Sequence, residues 1–328
     1  MRSPRLLLDA VSRFLDRWKW PIRIIWIAAV LALIVAQLWR IGPAALAADV
    51  PKNPLFYLVY WCSFCVLPLS EMMIFRRIWP QVAGAPFSVL LRKRALNAMV
   101  VSYSGDLFFF WWVRSRRDLA ERRVLAGIKD SSVLSAVASG LLNAAVAAAF
   151  FLSGSAAVID RVLAGHRSSL YAGLAILALL VPVLLRFRKR VLWIDGGQAT
   201  GVFAIHLARN VAVLLLQLLQ WWIVLPQVPL QTWLLFLTLQ MLVSNLPLLP
   251  SRDFIFLAVA VGMVGSTGVD QSALAAMLVV MTFLKQMTNL VALLVTSVLP
   301  GERGPTAEEE AYLATAATSA RDQPPPSA

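Results

Sequence analysis

Long apolar runs, unbroken by charge, are the dominant pattern along this chain. Residues 55–69 and 174–185, for example, are almost entirely apolar and show no apolar face opposite a polar one. About 20 helical residues of this kind cross a lipid core of about 30 Å, whereas the strands of a membrane barrel alternate apolar and polar positions. The pattern therefore predicts an all-α polytopic membrane protein and excludes a barrel.

Six apolar runs are predicted as full spans, at about residues 21–38, 55–75, 124–152, 170–185, 199–226 and 272–299. Two mixed segments differ from these runs, because the two ends of each have the same charge character. Basic residues flank both ends of 86–112, and neither end of 231–266 has a basic cluster. Since cytoplasmic ends are the basic ones, both segments are predicted as re-entrant hairpins, the first broken at Ser104-Gly105-Asp106.

The parts outside this transmembrane domain (residues 21–299) are predicted to lie in the cytoplasm. Residues 1–20 group apolar side chains toward one helical face among five basic ones, as a surface amphipathic helix does. Residues 300–328 are rich in Pro, Ala, Ser, Thr and Glu and are predicted to be a disordered tail.

Composition and charge support this interpretation. The chain is 59% hydrophobic and 14% charged, against roughly a quarter charged in soluble domains. Its net charge of +13 needs no nucleic-acid partner, because basic residues flank membrane spans on the cytoplasmic side. With both termini cytoplasmic, twenty-three of the thirty Lys and Arg lie inside and four outside. We therefore expect the plasma (inner) membrane, with both termini in the cytoplasm.

The two hairpins show a weak internal similarity. Asn97 precedes Asp106 by nine residues, and Asn245 precedes Asp253 by eight; both breaks read S-x-D-x-x-F. Chance is one explanation, because these residue types are common in membrane helices. The other is an inverted repeat, with units at about 55–152 and 199–299, whose broken helices meet near the midplane as in secondary transporters.

Ionisable side chains at membrane depth cost about 2.5–3.5 kcal/mol each on insertion scales, so they need a reason. One hypothesis is a polar cavity in which basic residues bind a lipid phosphate and acidic residues contact an amine; the other is internal salt bridges, which is favoured for Glu71 near Arg76 and Arg77. The substrate-binding candidates are Asn97, Ser104, Gly105, Asp106, Arg209, Asn245, Pro250, Ser251, Arg252, Asp253 and Lys285.

These motifs resemble a known family. Leu96-Asn97-Ala98-Met99 through Asp106, together with the Pro-rich break after Asn245 and Gly268-Val269, is similar to the lysylphosphatidylglycerol synthase transmembrane, or flippase-like, family over about residues 20–300. The chain departs from it at the second break, where Pro250-Ser251-Arg252-Asp253 replaces a glycine-rich P-G-G-x-G-x-x-E run. The resemblance implies lipid translocation, without aminoacyl transfer because no synthase domain follows.

The expected function is thus a lipid translocase that moves a phospholipid or lipid-linked intermediate with a charged headgroup. No metal or other cofactor is expected, because the two histidines, His166 and His206, are far apart. No catalytic motif is present. A membrane-embedded enzyme or an accessory scaffold of a lipid or glycan pathway is the alternative, and the sequence does not indicate the oligomeric state.

Overall fold

The fold of the described residues is helical throughout, without a strand. The computed structural model describes residue 39 and residues 43–80, 85–99, 103–116, 119–152, 192–245, 252–263 and 270–298. In chain order the helices are α1 (Pro43–Ala48), α2 (Pro54–Ile78), α3 (Phe87–Met99), α4 (Ser104–Arg116), α5 (Glu121–Leu152), α6 (Gly196–Val224), α7 (Leu230–Asn245), α8 (Arg252–Met263) and α9 (Gln271–Val298).

Four of these helices, α2, α5, α6 and α9, are long and apolar enough to cross a membrane. They confirm an all-α membrane protein and correspond to the runs predicted at 55–75, 124–152, 199–226 and 272–299. Large apolar side chains on them are exposed rather than packed, Leu58 by 59% and Phe283 by 61%, as expected of surfaces that face lipid. The predicted spans 21–38 and 170–185, the N-terminal segment 1–20 and the tail 300–328 lie outside the described residues.

Short helices pair between the long ones. Helices α3 and α4 pack against each other, and so do α7 and α8. They have 13, 13, 16 and 12 residues, or about 18–24 Å at 1.5 Å per residue, less than the thickness of a lipid core. The order long, short, short, long occurs twice, in α2–α5 and in α6–α9.

The first break lies one turn earlier than predicted. Ser104, Gly105 and Asp106 form the first turn of α4, and the chain reverses between Met99 and Ser104. The physical reason is that hydroxyl and carboxylate side chains favour a helix N-terminus, where they satisfy or complement the free N–H groups. Similarly, Arg252 begins α8 and Asn245 ends α7.

The chain divides into two compact units. The α3–α4 unit holds the described residues 61–144, 192–216 and 285–298, and its core is largely aromatic. The ring centroids of Phe75 and Phe109 are 4.4 Å apart, and Trp79 stacks on Phe75 at 5.5 Å. Gly127 of α5 packs on this core so closely that an added Cβ would lie 2.2 Å from an atom of the Trp79 ring.

The α7–α8 unit holds the described residues up to 60, 145–152 and 217–284. The rings of Trp221 and Trp233 lie 5.2 Å apart in it, and Phe150 packs with Leu235 in a small apolar cluster. The Gln220 side chain donates a hydrogen bond to the carbonyl of Phe56 at 3.2 Å. Helix α7 is therefore joined to α6 by aromatic contacts and α6 to α2 by a buried amide.

Asp270 caps the N-terminus of α9. Its Oδ1 accepts hydrogen bonds from the Ser272 hydroxyl at 2.8 Å and from the backbone N–H groups of Ser272 and Ala273. These donors, the Ser272 hydroxyl first, hold the pKa of the Asp270 carboxyl below its ordinary value of 3.8. Such groups favour the charged carboxylate and satisfy free N–H groups of the helix.

The substitution Gly127→Ala should destabilise the protein, because its methyl group would overlap the buried Trp79 ring. We expect a loss of about 1–3 kcal/mol, typical of an overpacked core, measured as a lower Tm in detergent. Gly196→Ala is the matched control, since a Cβ there meets nothing within 4 Å. Equal Tm values for the two variants would contradict this packing.

The Asp270 cap should make stability depend on acidic pH. A carboxyl group whose pKa is lowered in the folded state stabilises it above the ordinary pKa, and this contribution is lost as pH falls through the folded pKa. Tm measured from about pH 6 down to about pH 3 should therefore fall less in Asp270→Asn, which keeps the cap without the charge. An identical fall in wild type and variant would exclude this contribution.

Candidate functional site

Four of the predicted residues form one turn at the first hairpin. The Asn97 side chain accepts a hydrogen bond from the N–H of Gly105 at 2.7 Å and donates one to Asp106 Oδ2 at 3.1 Å. Ser104 Oγ donates to the carbonyl of Leu96 at 2.9 Å. The side chains at this turn thus satisfy the free ends of both short helices, which is a structural role.

Close backbone approach explains the glycine in this turn. A Cβ on Gly105 would lie 1.9 Å from the carbonyl oxygen of Lys93, a distance no side chain can occupy. Tyr103, just before α4, has φ of 73°, in the left-handed region that non-glycine residues seldom adopt. The tight turn brings α3 and α4 together and so places Asp106 beside Lys93.

Lys93 forms the centre of a buried ionic cluster that we call the lysine triad, with Glu71 of α2 and Asp106 of α4. Its Nζ lies 2.5 Å from Glu71 Oε1 and 3.1 Å from Asp106 Oδ1, and its side chain is only 5% exposed. The rings of Phe75 and Phe109 face the ammonium at 5.1 and 5.7 Å. Three helices are therefore joined by one cation in apolar surroundings.

A second polar region joins α5 to α6. Ser131, Ser135 and Ser139, which we call the serine track, are four residues apart and lie on one face of α5. They pair in turn with His206 Nε2 at 3.2 Å, Arg209 Nη2 at 3.0 Å and Asn210 Nδ2 at 3.0 Å. The track covers about 12 Å of the helix axis, so the α5–α6 contact is polar over much of its length.

Arg209 differs from Lys93 in its partners. Its guanidinium donates to Ser135 and to the Asn210 side chain, both neutral, and Nη1 donates no hydrogen bond to any described residue. No carboxylate of the described chain lies within ion-pair distance, although Glu71 attracts Arg209 at longer range. Because its residue is only 9% exposed, Arg209 is a buried cation without a direct counter-ion in the described part of the protein.

Asp130, next to the serine track, has a structural role. It is fully buried, and its Oδ2 accepts the backbone N–H groups of Trp193 at 2.6 Å and Ile194 at 3.0 Å. Lys129 lies 3.2 Å from its other oxygen. Asp130 thereby fixes the segment that leads into α6.

The structure brings together only part of the predicted site. Asn97, Ser104, Gly105 and Asp106 meet at the first turn, and Arg209 lies on the serine track. Asp253 and Lys285 are half-buried on α8 and α9, Pro250 and Ser251 lie outside the described residues, and the side chains of Asn245 and Arg252 are not described. The expected approach of the two hairpin tips stays a prediction.

The sequence analysis missed the central residue of the triad. Lys93 lies in the run Arg92-Lys93-Arg94, which resembled a solvated cytoplasmic flank, but its ammonium is buried. The usable signal was spacing, because Lys93 and Asn97 are four residues apart and share a face of α3. Glu71 pairs with Lys93, rather than with Arg76 or Arg77 as its position in the sequence suggested.

No protein-family model matches this chain, and no curated protein or solved structure is significantly similar to it. The fold and the buried polar residues by themselves define the class, a helical membrane protein with charged residues inside its helix bundle.

Removing Lys93 should destabilise the protein severely, because Glu71 and Asp106 would be left as buried carboxylates without their cation. We expect Lys93→Gln to cost about 3–5 kcal/mol, seen as loss of monodisperse protein and a lower Tm. The triple change Lys93→Gln, Glu71→Gln and Asp106→Asn should recover much of this loss.

Lys52→Gln, which removes an exposed lysine, is the control for this experiment. If Lys93→Gln behaved like Lys52→Gln, the ammonium of Lys93 would not be needed to neutralise the two carboxylates.

Proposed function

We propose that this protein is a flippase-like lipid translocase of the inner membrane and that Arg209 binds the phosphate of the lipid headgroup. The resemblance to the lysylphosphatidylglycerol synthase transmembrane family supports the class of activity. The observation that carries the proposal is the buried Arg209 guanidinium, which has neutral partners and no direct counter-ion among the described residues.

Arg209 suits a phosphate chemically. A guanidinium binds phosphate oxygens through two parallel N–H groups, and Nη1 has donors that no described residue uses. Seryl hydroxyls at Ser135 and Ser139 lie beside it and both donate and accept hydrogen bonds. An anion that reached Arg209 would neutralise the cation and find further hydrogen-bond partners along the serine track.

The lysine triad supports this division of roles. Lys93 has a carboxylate on either side, so neither it nor Asp106 needs a headgroup for neutralisation. Of the two hypotheses for ionisable residues at membrane depth, the triad therefore favours internal salt bridges for Glu71 and Asp106. Headgroup binding is favoured at Arg209, where such a bridge is missing in the described chain.

The second hairpin completes the proposal. The repeated order of long and short helices supports an inverted repeat in which α3–α4 and α7–α8 re-enter the membrane from opposite sides, with both termini cytoplasmic. Arg252, Asp253 and Lys285 would then line the lipid path from the second repeat. The substrate is a phospholipid or lipid-linked intermediate with a charged headgroup.

Arg209→Gln should abolish lipid translocation while leaving the folded protein in the membrane, because glutamine keeps hydrogen bonding but loses the charge. The measurement is the accessibility of a headgroup-labelled anionic phospholipid to a membrane-impermeant quencher in proteoliposomes. Arg209→Lys should retain part of the activity, since an ammonium still attracts phosphate but binds it less specifically.

Arg122→Gln, which removes an exposed arginine of α5, is the control and should translocate normally. A well-folded Arg209→Gln protein with wild-type translocation would exclude Arg209 as the headgroup site. Wild-type protein that moved no lipid of anionic or zwitterionic headgroup would favour the scaffold or enzyme alternatives.

A further inference from the structure

Helix α2 contains a proline in its interior, Pro68. A proline has no backbone N–H, so it cannot donate to the carbonyl four residues earlier, which here belongs to Phe64. Phe64 is buried, with 4% of its surface exposed. A buried carbonyl needs another donor, and in transmembrane helices neighbouring helices often supply it.

Arg94 of α3 supplies that donor. Its Nη1 donates a hydrogen bond to the carbonyl oxygen of Phe64, and its guanidinium lies 3.9 Å from the centre of the Phe64 ring. Charge-assisted hydrogen bonds are stronger than neutral ones, and a guanidinium over an aromatic face adds a cation–π attraction. One side chain thus replaces the bond that Pro68 removes.

The residue next to Arg94 holds α2 on the other side of the proline. Lys93 pairs with Glu71, three residues after Pro68, whereas Arg94 pairs with Phe64, four residues before it. Two consecutive side chains of α3 therefore bridge the weak point of α2.

We propose that Pro68 is a hinge in α2 and that Arg94 is the latch that closes it. The part of α2 after the hinge is fixed by the lysine triad and by the Phe75 ring in the aromatic core. When Arg94 releases the Phe64 carbonyl, the part before the hinge is free to bend. This inference rests on the proposed function in one respect, that bending of α2 opens the way for lipid to the Arg209 site.

A double-mutant comparison tests the latch independently of lipid movement. Arg94→Gln should lower Tm by several degrees, because the Phe64 carbonyl loses its charged donor. In the background of Pro68→Ala, which restores the N–H, the same change should have little effect on Tm. Arg92→Gln, which removes a neighbouring charge of α3, should have equal effects in both backgrounds.

Equal losses for Arg94→Gln with and without Pro68→Ala would overturn the latch. So would an unchanged Tm for Arg94→Gln alone. Arg94→Lys, which keeps one charged donor, should recover part of the loss; if it recovered none while folding normally, a specific role of the donated bond would be contradicted.

Spin-label distances test the hinge. Labels at Leu58→Cys and Met73→Cys, both exposed positions of α2, would be about 22 Å apart in an unbent helix. In a background with Cys62 and Cys65 replaced by serine, we expect a broad or two-peaked distribution, more so in Arg94→Gln, and one narrow peak in Pro68→Ala. One narrow peak in all three proteins would overturn the hinge.

Translocation assays then separate the two proposals. Pro68→Ala should slow translocation severalfold without loss of stability, if the bend serves lipid entry. A wild-type rate with a narrow distance distribution would remove the hinge from translocation but leave Arg209 as the headgroup site. Loss of translocation in Arg209→Gln with distances unchanged from wild type would support Arg209 and leave the hinge to the Pro68→Ala result.

Discussion

The ammonium of Lys93 is buried among aromatic rings, and the first hairpin is arranged to neutralise it. Two carboxylates approach it from two other helices, Glu71 from α2 and Asp106 from α4. Because a lone charge in such surroundings is strongly destabilising, the three helices are held in one register. The Asn97 contacts and the tight passage at Gly105 follow from this requirement, since they bring Asp106 to the lysine.

The same requirement applies to backbone groups and explains why α3 carries several basic residues. A carbonyl left free by Pro68 is as much a buried polar group as a side chain, and Arg94 satisfies it. In an apolar helix bundle these contacts decide where a short polar helix can lie. The basic run of α3 therefore acts as a set of specific contacts with α2 rather than as a solvated flank.

Sequence reasoning was most successful where the signal is periodic or long. The apolar runs located the four described long helices to within a few residues, and the shared charge character of their ends located both hairpins. It failed at Lys93, because a lysine between two arginines looks identical whether it faces water or two distant carboxylates. The pairing of serine 131 with His206, seventy-five residues apart, is likewise invisible before α5 and α6 are packed together.

The number of counter-ions separates structural charges from candidate functional ones in this bundle. Lys93 has two carboxylates in contact and Asp130 receives two backbone N–H groups, so both are satisfied by the protein itself. Arg209 has hydroxyl and amide partners and only a distant carboxylate in the described chain. Depth in the membrane alone ranks these residues equally. Their partners do not, and an anionic ligand would contribute most at the cation that the protein neutralises least.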